Sequence, residues 1–231
     1  MTPAKPRKRM TAAQRRQQLV DAARSVFAER GYEAATIEEV AAKAGVSKPL
    51  VYEHFGGKEG LYAVVVDREM EMVLEVFSRA MLEDRSKSRI EQIALALLTY
   101  VEERADGFRI LTRNSSVEHA GGYSTLLNDL VSQVETNLEG EFQRRGLDPE
   151  LAPLYAQALV GMVAMTAQWW LEVRDPPKEA VAAHIVNLSW YGLIGLKENP
   201  VAIEPSPLAP VRTARSTDET GDHTRGDAAT G

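Results

Sequence analysis

The sequence predicts an all-α protein, and two observations favour this class. Apolar residues recur with the helical period along most of the chain. Capping residues, glycines and prolines stand where such segments begin and end. A third observation argues against strands, because no stretch of useful length alternates apolar and polar residues. We expect about nine helices, three in an N-terminal domain and the rest in a larger helical domain.

The first three helices have recognisable end signals, and the second and third are short. Their N-terminal signals are the capping boxes Thr11 with Gln14 and Thr36 with Glu39, and then Ser47, which can cap a helix that has Pro49 in its first turn. Their C-terminal signals are Gly31, Gly45 and the pair Gly56-Gly57. A long fourth helix is then expected from Lys58 to about Leu82.

The remaining periodic segments predict the other helices. They cover about 90–103, 108–112, 123–145, 148–173 and 177–197. Asp148 followed by Pro149 is typical of a helix start, and Pro176-Pro177 separates the last two helices.

The charge is unevenly distributed along the chain. The 231 residues contain 33 acidic and 27 basic side chains, a formal charge of −6, which by itself argues against nucleic-acid binding. The first 60 residues, however, have 11 Lys and Arg against 7 Asp and Glu, so the N-terminal part is basic and the remainder strongly acidic. Such asymmetry favours nucleic-acid contact by the N-terminal part.

Several function classes lose support from the composition. The chain has no cysteine, so disulfides, thiolate metal sites and a cysteine nucleophile are excluded, and the four histidines show no metal-ligand spacing. No nucleophile-elbow, P-loop or dinucleotide glycine motif occurs. We expect no enzyme activity, cofactor, metal or secretory signal, and no apolar run of the ~20 residues that span a bilayer.

The chain divides into four predicted segments. Residues 1–10 form a basic arm and 200–231 a polar, proline-containing tail, and we expect both to be disordered. Between them we place an N-terminal domain at 11–57 and the larger helical domain at 58–199.

Residues Thr36–Phe55 predict a helix-turn-helix, in which two short capped helices are joined through Gly45. This segment and its surroundings resemble the DNA-binding domain of the TetR family of bacterial transcriptional regulators, over about residues 15–62. The matching pieces are Ala22-Ala23, Phe27, Gly31-Tyr32, Thr36-Ile37, Val40-Ala41, Ala44-Gly45-Val46-Ser47, Val51-Tyr52-Glu53-His54-Phe55 and Lys58-Glu59-Gly60-Leu61.

The resemblance implies that the third helix enters the major groove of double-stranded DNA. Carried over by position, the DNA-binding residues are Thr36, Ser47, Lys48, Pro49, Tyr52, His54 and Lys58. The backbone N–H of Lys58 is a further phosphate donor. Other interpretations stay open. Tyr52 could serve core packing, and His54 could be an ordinary exposed residue. The arm Lys5–Arg9 could be a solvated tail and not a minor-groove contact.

The last two helices are apolar on more than one side, which indicates burial on two faces. We therefore expect a four-helix bundle between two copies, and the resemblance implies the same homodimer. The interface residues that we expect are Leu159, Val163, Trp170, Val186, Trp190 and Leu193. The alternative is a helix pair buried within one subunit.

An apolar cavity between the middle helices is the expected effector site. Its candidate lining is Tyr100, Phe108, Leu111, Tyr123, Leu127, Met162, Met165 and Trp169, with Arg104, Arg109, Arg113 and Glu118 as a candidate polar rim; ordinary core packing is the alternative for each lining residue. This lining favours an apolar or aromatic small molecule.

The resemblance implies a bacterial, cytoplasmic, dimeric repressor that binds a palindromic operator and is released by an effector. The alternative function keeps DNA binding but uses the larger domain for a protein partner or for organising DNA. No membrane partner is expected.

Overall fold

The computed structural model describes residues 10–113, 122–197 and 200, and in these ranges every regular element is a helix. The all-α prediction is therefore confirmed, with nine α-helices and one 3-10 turn in the described part of the chain. The α-helices are α1 (Ala12–Ala34), α2 (Ile37–Ala44), α3 (Lys48–Phe55), α4 (Lys58–Met81), α5 (Ser86–Glu103), α6 (Ala105–Thr112), α7 (Gly122–Arg145), α8 (Ala152–Val173) and α9 (Lys178–Ile194).

The end signals of the first helices are mostly confirmed. Both capping boxes form, with the side chains of Thr11 and Thr36 accepting from the backbone three residues later. Helix α1 is kinked at Gly31 (φ 77°), and Gly45 ends α2 in the left-handed conformation. Ser47 occupies the N-cap of α3, but its side chain makes no cap hydrogen bond, so the expected capping role is wrong.

Helices α1 to α3, which we call the head, are held together by a small buried core. Leu19, Phe27, Val40 and Val51 are almost completely buried there. Two side chains of α1 also hold the helix-turn-helix: Gln18 Nε2 donates to the carbonyl of Ala44 (2.9 Å), and Arg16 donates to that of His54 (3.1 Å). The orientation of α3 is thus set by α1 as well as by the turn.

Helices α4 to α9, which we call the body, differ from the predicted bounds mainly at their ends. Helix α5 begins at Ser86 and α6 at Ala105, three or four residues before their expected starts, and α9 ends at Ile194. Asp148 caps a 3-10 turn (Pro149–Leu151) that precedes α8. The sequence analysis placed the start of α5 too late because apolar periodicity reveals only the helical turns that are buried. The first turn of α5 is polar and therefore gives no such signal.

The head and the body share one continuous hydrophobic core. Helix α1 packs on α4 and α6, α5 packs on α4 and α9, and α7 packs on α8. The predicted boundary after residue 57 falls at the start of α4 and stays a prediction. The predicted arm 1–10, apart from residue 10, and the tail, apart from residue 200, lie outside the described residues.

One described stretch, Pro149–Val173, is long and apolar enough by length and composition to cross a membrane, contrary to our expectation. The core helix of a soluble protein passes the same test. The apolar character arises because α8 has apolar side chains on its outer face as well, including Leu154, Met165 and Trp169.

The contact between α3 and α4 gives a stability prediction. A Cβ at Gly60 would lie 2.1 Å from the carbonyl oxygen of Phe55, which is backbone and cannot easily move. We expect Gly60→Ala to lower the free energy of unfolding by about 1–3 kcal/mol, as overpacking does. The measurement is urea denaturation monitored by circular dichroism.

The matched control is Gly140→Ala in α7, where nothing lies within 4 Å of the added Cβ. There the substitution should raise stability by about 0.5–1 kcal/mol, because alanine loses less backbone entropy on folding. Equal effects of the two substitutions would contradict the close approach at Gly60.

Candidate DNA-binding surface and effector cavity

Helix α3 presents one exposed face and one buried residue. Val51 is fully buried and anchors the helix, whereas Ser47, Lys48 and Pro49 are exposed and Tyr52 is 46% exposed. The structure therefore groups these four predicted residues on one accessible surface. Because Tyr52 is not enclosed by the core, its ring is available for contact.

The cation of Lys48 is paired inside the helix-turn-helix. Its ammonium group donates to the carboxylate of Glu38 and lies 5.7 Å from the centre of the Tyr52 ring. The hydrogen bond with Glu38 raises the pKa of Lys48, and the same bond lowers the pKa of Glu38. Both groups are exposed, so DNA phosphates and base edges compete with Glu38 for this charge.

The other predicted DNA contacts are more constrained. The hydroxyl of Thr36 accepts from the backbone N–H of Glu39 (3.2 Å) and donates to its carboxylate (3.0 Å), so this group is used within the capping box. His54 is half-buried at the end of α3, and its backbone carbonyl is bound by Arg16.

The side chain of Lys58, which we expected to contact a phosphate, is paired within the chain. Its ammonium group donates to the carbonyls of Tyr32 (2.9 Å) and Glu33 (3.1 Å) and lies over the Tyr32 ring. These bonds satisfy carbonyl groups at the end of α1, where a cation is favourable. The backbone N–H of Lys58 has no partner within the helix, because it is the first residue of α4, and it stays a candidate phosphate donor.

A buried carboxylate joins the head to the body, and the sequence analysis missed it. Glu69 of α4 is 2% exposed. Arg104 donates to it twice (2.6 and 3.1 Å), the hydroxyl of Tyr100 once (2.8 Å), and Arg24 of α1 pairs with it at 3.4 Å. Glu69 shares a helical face with Leu61, Tyr62, Val65 and Val73, so a charge at an apolar position was the signal that could have found it.

The network around Glu69 is closely packed. A Cβ at Gly107 would lie 2.1 Å from a carboxylate oxygen of Glu69, so only glycine fits at this point of α6. Burial, followed by the adjacent negative charge, raises the pKa of Tyr100, and the hydrogen bond with Glu69 raises the pKa of Arg104. Tyr100 therefore keeps its proton and donates a hydrogen bond to the carboxylate of Glu69.

An apolar cavity of about 100 Å³ lies between helices α4, α5, α7, α8 and α9. Its wall is almost wholly aliphatic and aromatic, and Tyr100 and Ser189 are its polar residues. The lining is Val73, Val76, Phe77, Ile90, Ile93, Leu97, Tyr100, Leu130, Val134, Leu159, Val160, Val163, Ala164 and Ser189.

Tyr100 is the one residue of the predicted effector site that lines this cavity. Phe108 and Leu111 are buried in the core, and Tyr123, Leu127 and Met162 pack against it, whereas Met165 and Trp169 are exposed. These residues therefore do not form the wall of this cavity, because helical periodicity does not distinguish a cavity wall from close packing.

The candidate polar rim is also dispersed. Arg104 binds Glu69, Arg109 pairs with Asp106 and Glu172, and Arg113 donates to the carbonyl of Ala28 (2.7 Å). Glu118 lies outside the described residues.

The expected dimer residues lie inside the subunit or along its cavities. Trp170 and Val186 are buried, Leu159 and Val163 line the apolar cavity, and Trp190 and Leu193 line a neighbouring groove. The large apolar side chains that α8 and α9 do expose are other residues. By helical spacing, Leu154, Met165 and Trp169 share one side of α8, and Leu188, Tyr191 and Ile194 share one side of α9; we call these six residues the α8/α9 face.

These features define a helix-turn-helix DNA-binding protein with a helical body that contains an apolar cavity. Residues 19–65 match the profile of bacterial regulatory proteins of the tetR family, and residues 87–192 match a tetracyclin repressor-like C-terminal domain. The chain belongs to the TetR family of transcriptional regulators.

Individual relatives support this assignment. The transcriptional activator FasR of Mycolicibacterium smegmatis is 28% identical over 187 residues, which cover 80% of this chain and 85% of FasR. A TetR-like regulator from Rhodococcus sp. RHA1 has a TM-score of 0.69 and 27% identity, with 81% of this chain and 100% of that chain covered. FadR of Bacillus subtilis, solved in complex with stearoyl-CoA, shares the fold (TM-score 0.61, 18% identity, 75% of this chain and 96% of that chain).

The exposed face of α3 gives a prediction for DNA binding. Lys48→Ala or Tyr52→Ala should lower the affinity for an operator DNA, obtained by in vitro selection with the purified protein, by about tenfold or more. The reason is that a base contact contributes about 1–3 kcal/mol. Glu38→Gln should raise the affinity, because it frees Lys48 and removes a negative charge near the phosphates. The measurement is an electrophoretic mobility shift at several salt concentrations.

Lys87→Ala is the control for lost positive charge, because Lys87 is exposed in the first turn of α5. Circular dichroism should show unchanged helicity in all variants. If Lys48→Ala and Lys87→Ala weaken binding equally, α3 is not the recognition helix.

Proposed function

We propose that this protein is a homodimeric, cytoplasmic repressor that binds a palindromic operator and is released by an apolar small-molecule effector. The observation that carries the proposal is the position of Tyr100, which lines the apolar cavity and donates to Glu69, the carboxylate that also pairs with α1 of the head. The cavity and the DNA-binding helices therefore share one buried network.

The α8/α9 face supports the homodimer. Six large apolar side chains are exposed on two consecutive helices, three on each, and exposed apolar surface of this extent indicates an interface. A two-fold axis through this face would make both copies bury the same residues. Two recognition helices could then enter successive major grooves, about 34–36 Å apart, of a palindromic site.

The lining of the cavity supports an apolar effector. A ligand that enters it finds aliphatic and aromatic side chains, and only Tyr100 and Ser189 offer polar groups. A flexible aliphatic chain fits such a space better than a polar ligand, because the wall formed by the five helices is almost wholly apolar. The stearoyl-CoA bound to B. subtilis FadR makes this compound a suitable probe.

The Glu69 network supports the release step. A ligand changes DNA affinity only if it binds the two conformations of the protein with different affinity. An occupant that displaces the Tyr100 ring also changes the hydrogen bond to Glu69 and with it the pairing of Arg24 in α1. We expect the released form to hold the head in a position that does not fit the operator. Repression follows if the operator overlaps a promoter, since a bound dimer blocks the DNA beneath it.

The dimer gives the first prediction of this proposal. Leu188→Asp, or Trp169→Asp, should convert the protein from a dimer to a 25.5 kDa monomer in multi-angle light scattering. The physical reason is that a buried, unpaired carboxylate at the α8/α9 face opposes association.

Leu82→Asp is the matched control, because Leu82 is 81% exposed but lies at the end of α4 and on neither α8 nor α9. A protein that is monomeric before any substitution would contradict the homodimer and favour a protein partner for the face. Dimers that persist in both α8/α9 variants would place the interface elsewhere.

The effector gives the second prediction. Stearoyl-CoA should lower operator affinity by about tenfold or more, which corresponds to a coupling free energy of about 1–3 kcal/mol. Val163→Phe, which fills the cavity, should abolish ligand binding and leave DNA binding without ligand intact. The measurements are calorimetric titration and mobility shift.

Tyr100→Phe separates binding from release, because it keeps the ring in the cavity wall and removes only the hydrogen bond to Glu69. This variant should still bind the ligand but show a smaller loss of operator affinity. An unaltered response would exclude Tyr100 from the coupling, and a reporter fused to the selected operator distinguishes repression from activation.

A further inference from the structure

A groove of about 300 Å³ lies at the end of the body that is farthest along α4 from the head. Its wall includes Met81, the last residue of α4, together with the first turns of α5 and the last turns of α7 and α9. The groove contains Trp190 and Leu193, which the dimer does not need if the α8/α9 face forms the interface.

The groove adjoins the apolar cavity. Four residues line both spaces: Ile90 and Ile93 of α5, Val134 of α7 and Leu159 of α8. A ligand chain in the cavity could therefore extend past these side chains into the groove without leaving an apolar surface.

The outer end of the groove is basic. Arg89, Arg144 and Arg145 line it together with one acidic residue, Glu141. Arg89 donates to the side chain of Asn137 (2.8 Å), and Arg145 donates to the last carbonyls of α9, so both cations are held in place. Among the residues that the structure describes, Arg144 pairs with Glu141, one turn earlier on α7 (2.6 Å), and its side chain is 71% exposed.

We propose that this basic end binds the anionic head group of a long-chain amphiphile whose chain occupies the apolar cavity. The proposal rests on the proposed function, because it assumes that the cavity is the effector site. Three cations against one carboxylate complement a carboxylate or phosphate group, and Arg144 is the cation that is free to reorient toward it. The head group determines which end of the ligand faces outward.

The same geometry sets the length of the chain. Tyr100 and Ser86 mark the two ends of the combined space along α5, and fourteen residues of helix span about 21 Å. An extended chain advances roughly 1.2 Å per bond, so about 16–18 carbons reach from the basic end to Tyr100. Shorter chains leave Tyr100 uncontacted, and we therefore expect them to bind more weakly and to release DNA less.

The test is calorimetric titration of the full-length protein with stearic acid, stearoyl-CoA, octanoic acid and methyl stearate, which has no charge. Arg144→Glu should weaken binding of the two C18 anions by about fivefold or more at low salt, as expected for a lost and reversed surface charge. Binding of methyl stearate should not change. Whichever C18 anion binds the wild type more tightly identifies the head group as carboxylate or phosphate.

Arg79→Glu is the matched control. Arg79 is 74% exposed and pairs with Glu75 one turn earlier on its own helix, as Arg144 does with Glu141, but it does not line the groove. Equal weakening by both substitutions, or equal weakening for methyl stearate, would overturn the head-group site. So would octanoic acid binding as tightly as stearic acid.

The outcome also separates this inference from the proposed function. If Val163→Phe abolishes binding of stearate while Arg144→Glu does not alter it, the cavity is the effector site and the head-group site is wrong. If no chain ligand binds the wild-type protein, the effector part of the proposed function fails and this inference fails with it.

Discussion

The buried carboxylate of Glu69 is the interaction on which the arrangement of head and body depends. A charge that is 2% exposed is costly unless it is paired, and removing one partner of such a pair typically costs about 3–5 kcal/mol. Its partners come from three places, Arg24 in α1, Tyr100 in α5 and Arg104 after α5. Any movement of the head relative to α4 and α5 must keep these bonds or replace them.

In the proposed function, this constraint couples the cavity in the body to the DNA-binding surface. Tyr100 belongs both to the cavity wall and to the Glu69 network, and Gly107 leaves no spare space beside the carboxylate. A closely packed network with few alternative arrangements responds to displacement by switching rather than by gradual deformation. Lys48 of α3 pairs with Glu38 of α2, so an exposed ion pair also joins the two helices of the helix-turn-helix.

Most of the head could be predicted from the sequence, because its determinants are local. The capping boxes join residues three apart, the left-handed turn at Gly45 requires glycine, and the exposure of Lys48, Pro49 and Tyr52 follows from their position on a short helix. Lys58 is the exception. Its partners are the carbonyls of Tyr32 and Glu33, about 25 residues earlier, and nothing in the local sequence indicates that contact.

The sequence by itself determined the helical class, the helix-turn-helix and the excess of apolar residues on α8 and α9. Only the tertiary structure decided how that excess is used. Trp169 and Trp170 are adjacent and equally apolar, yet Trp169 is 51% exposed and Trp170 is 2% exposed. Successive residues point about 100° apart on a helix, so the neighbouring helices select which one is buried. The cavity and the basic groove likewise lie where five helices pack together. The periodic pattern of one helix does not specify how it packs against the other four.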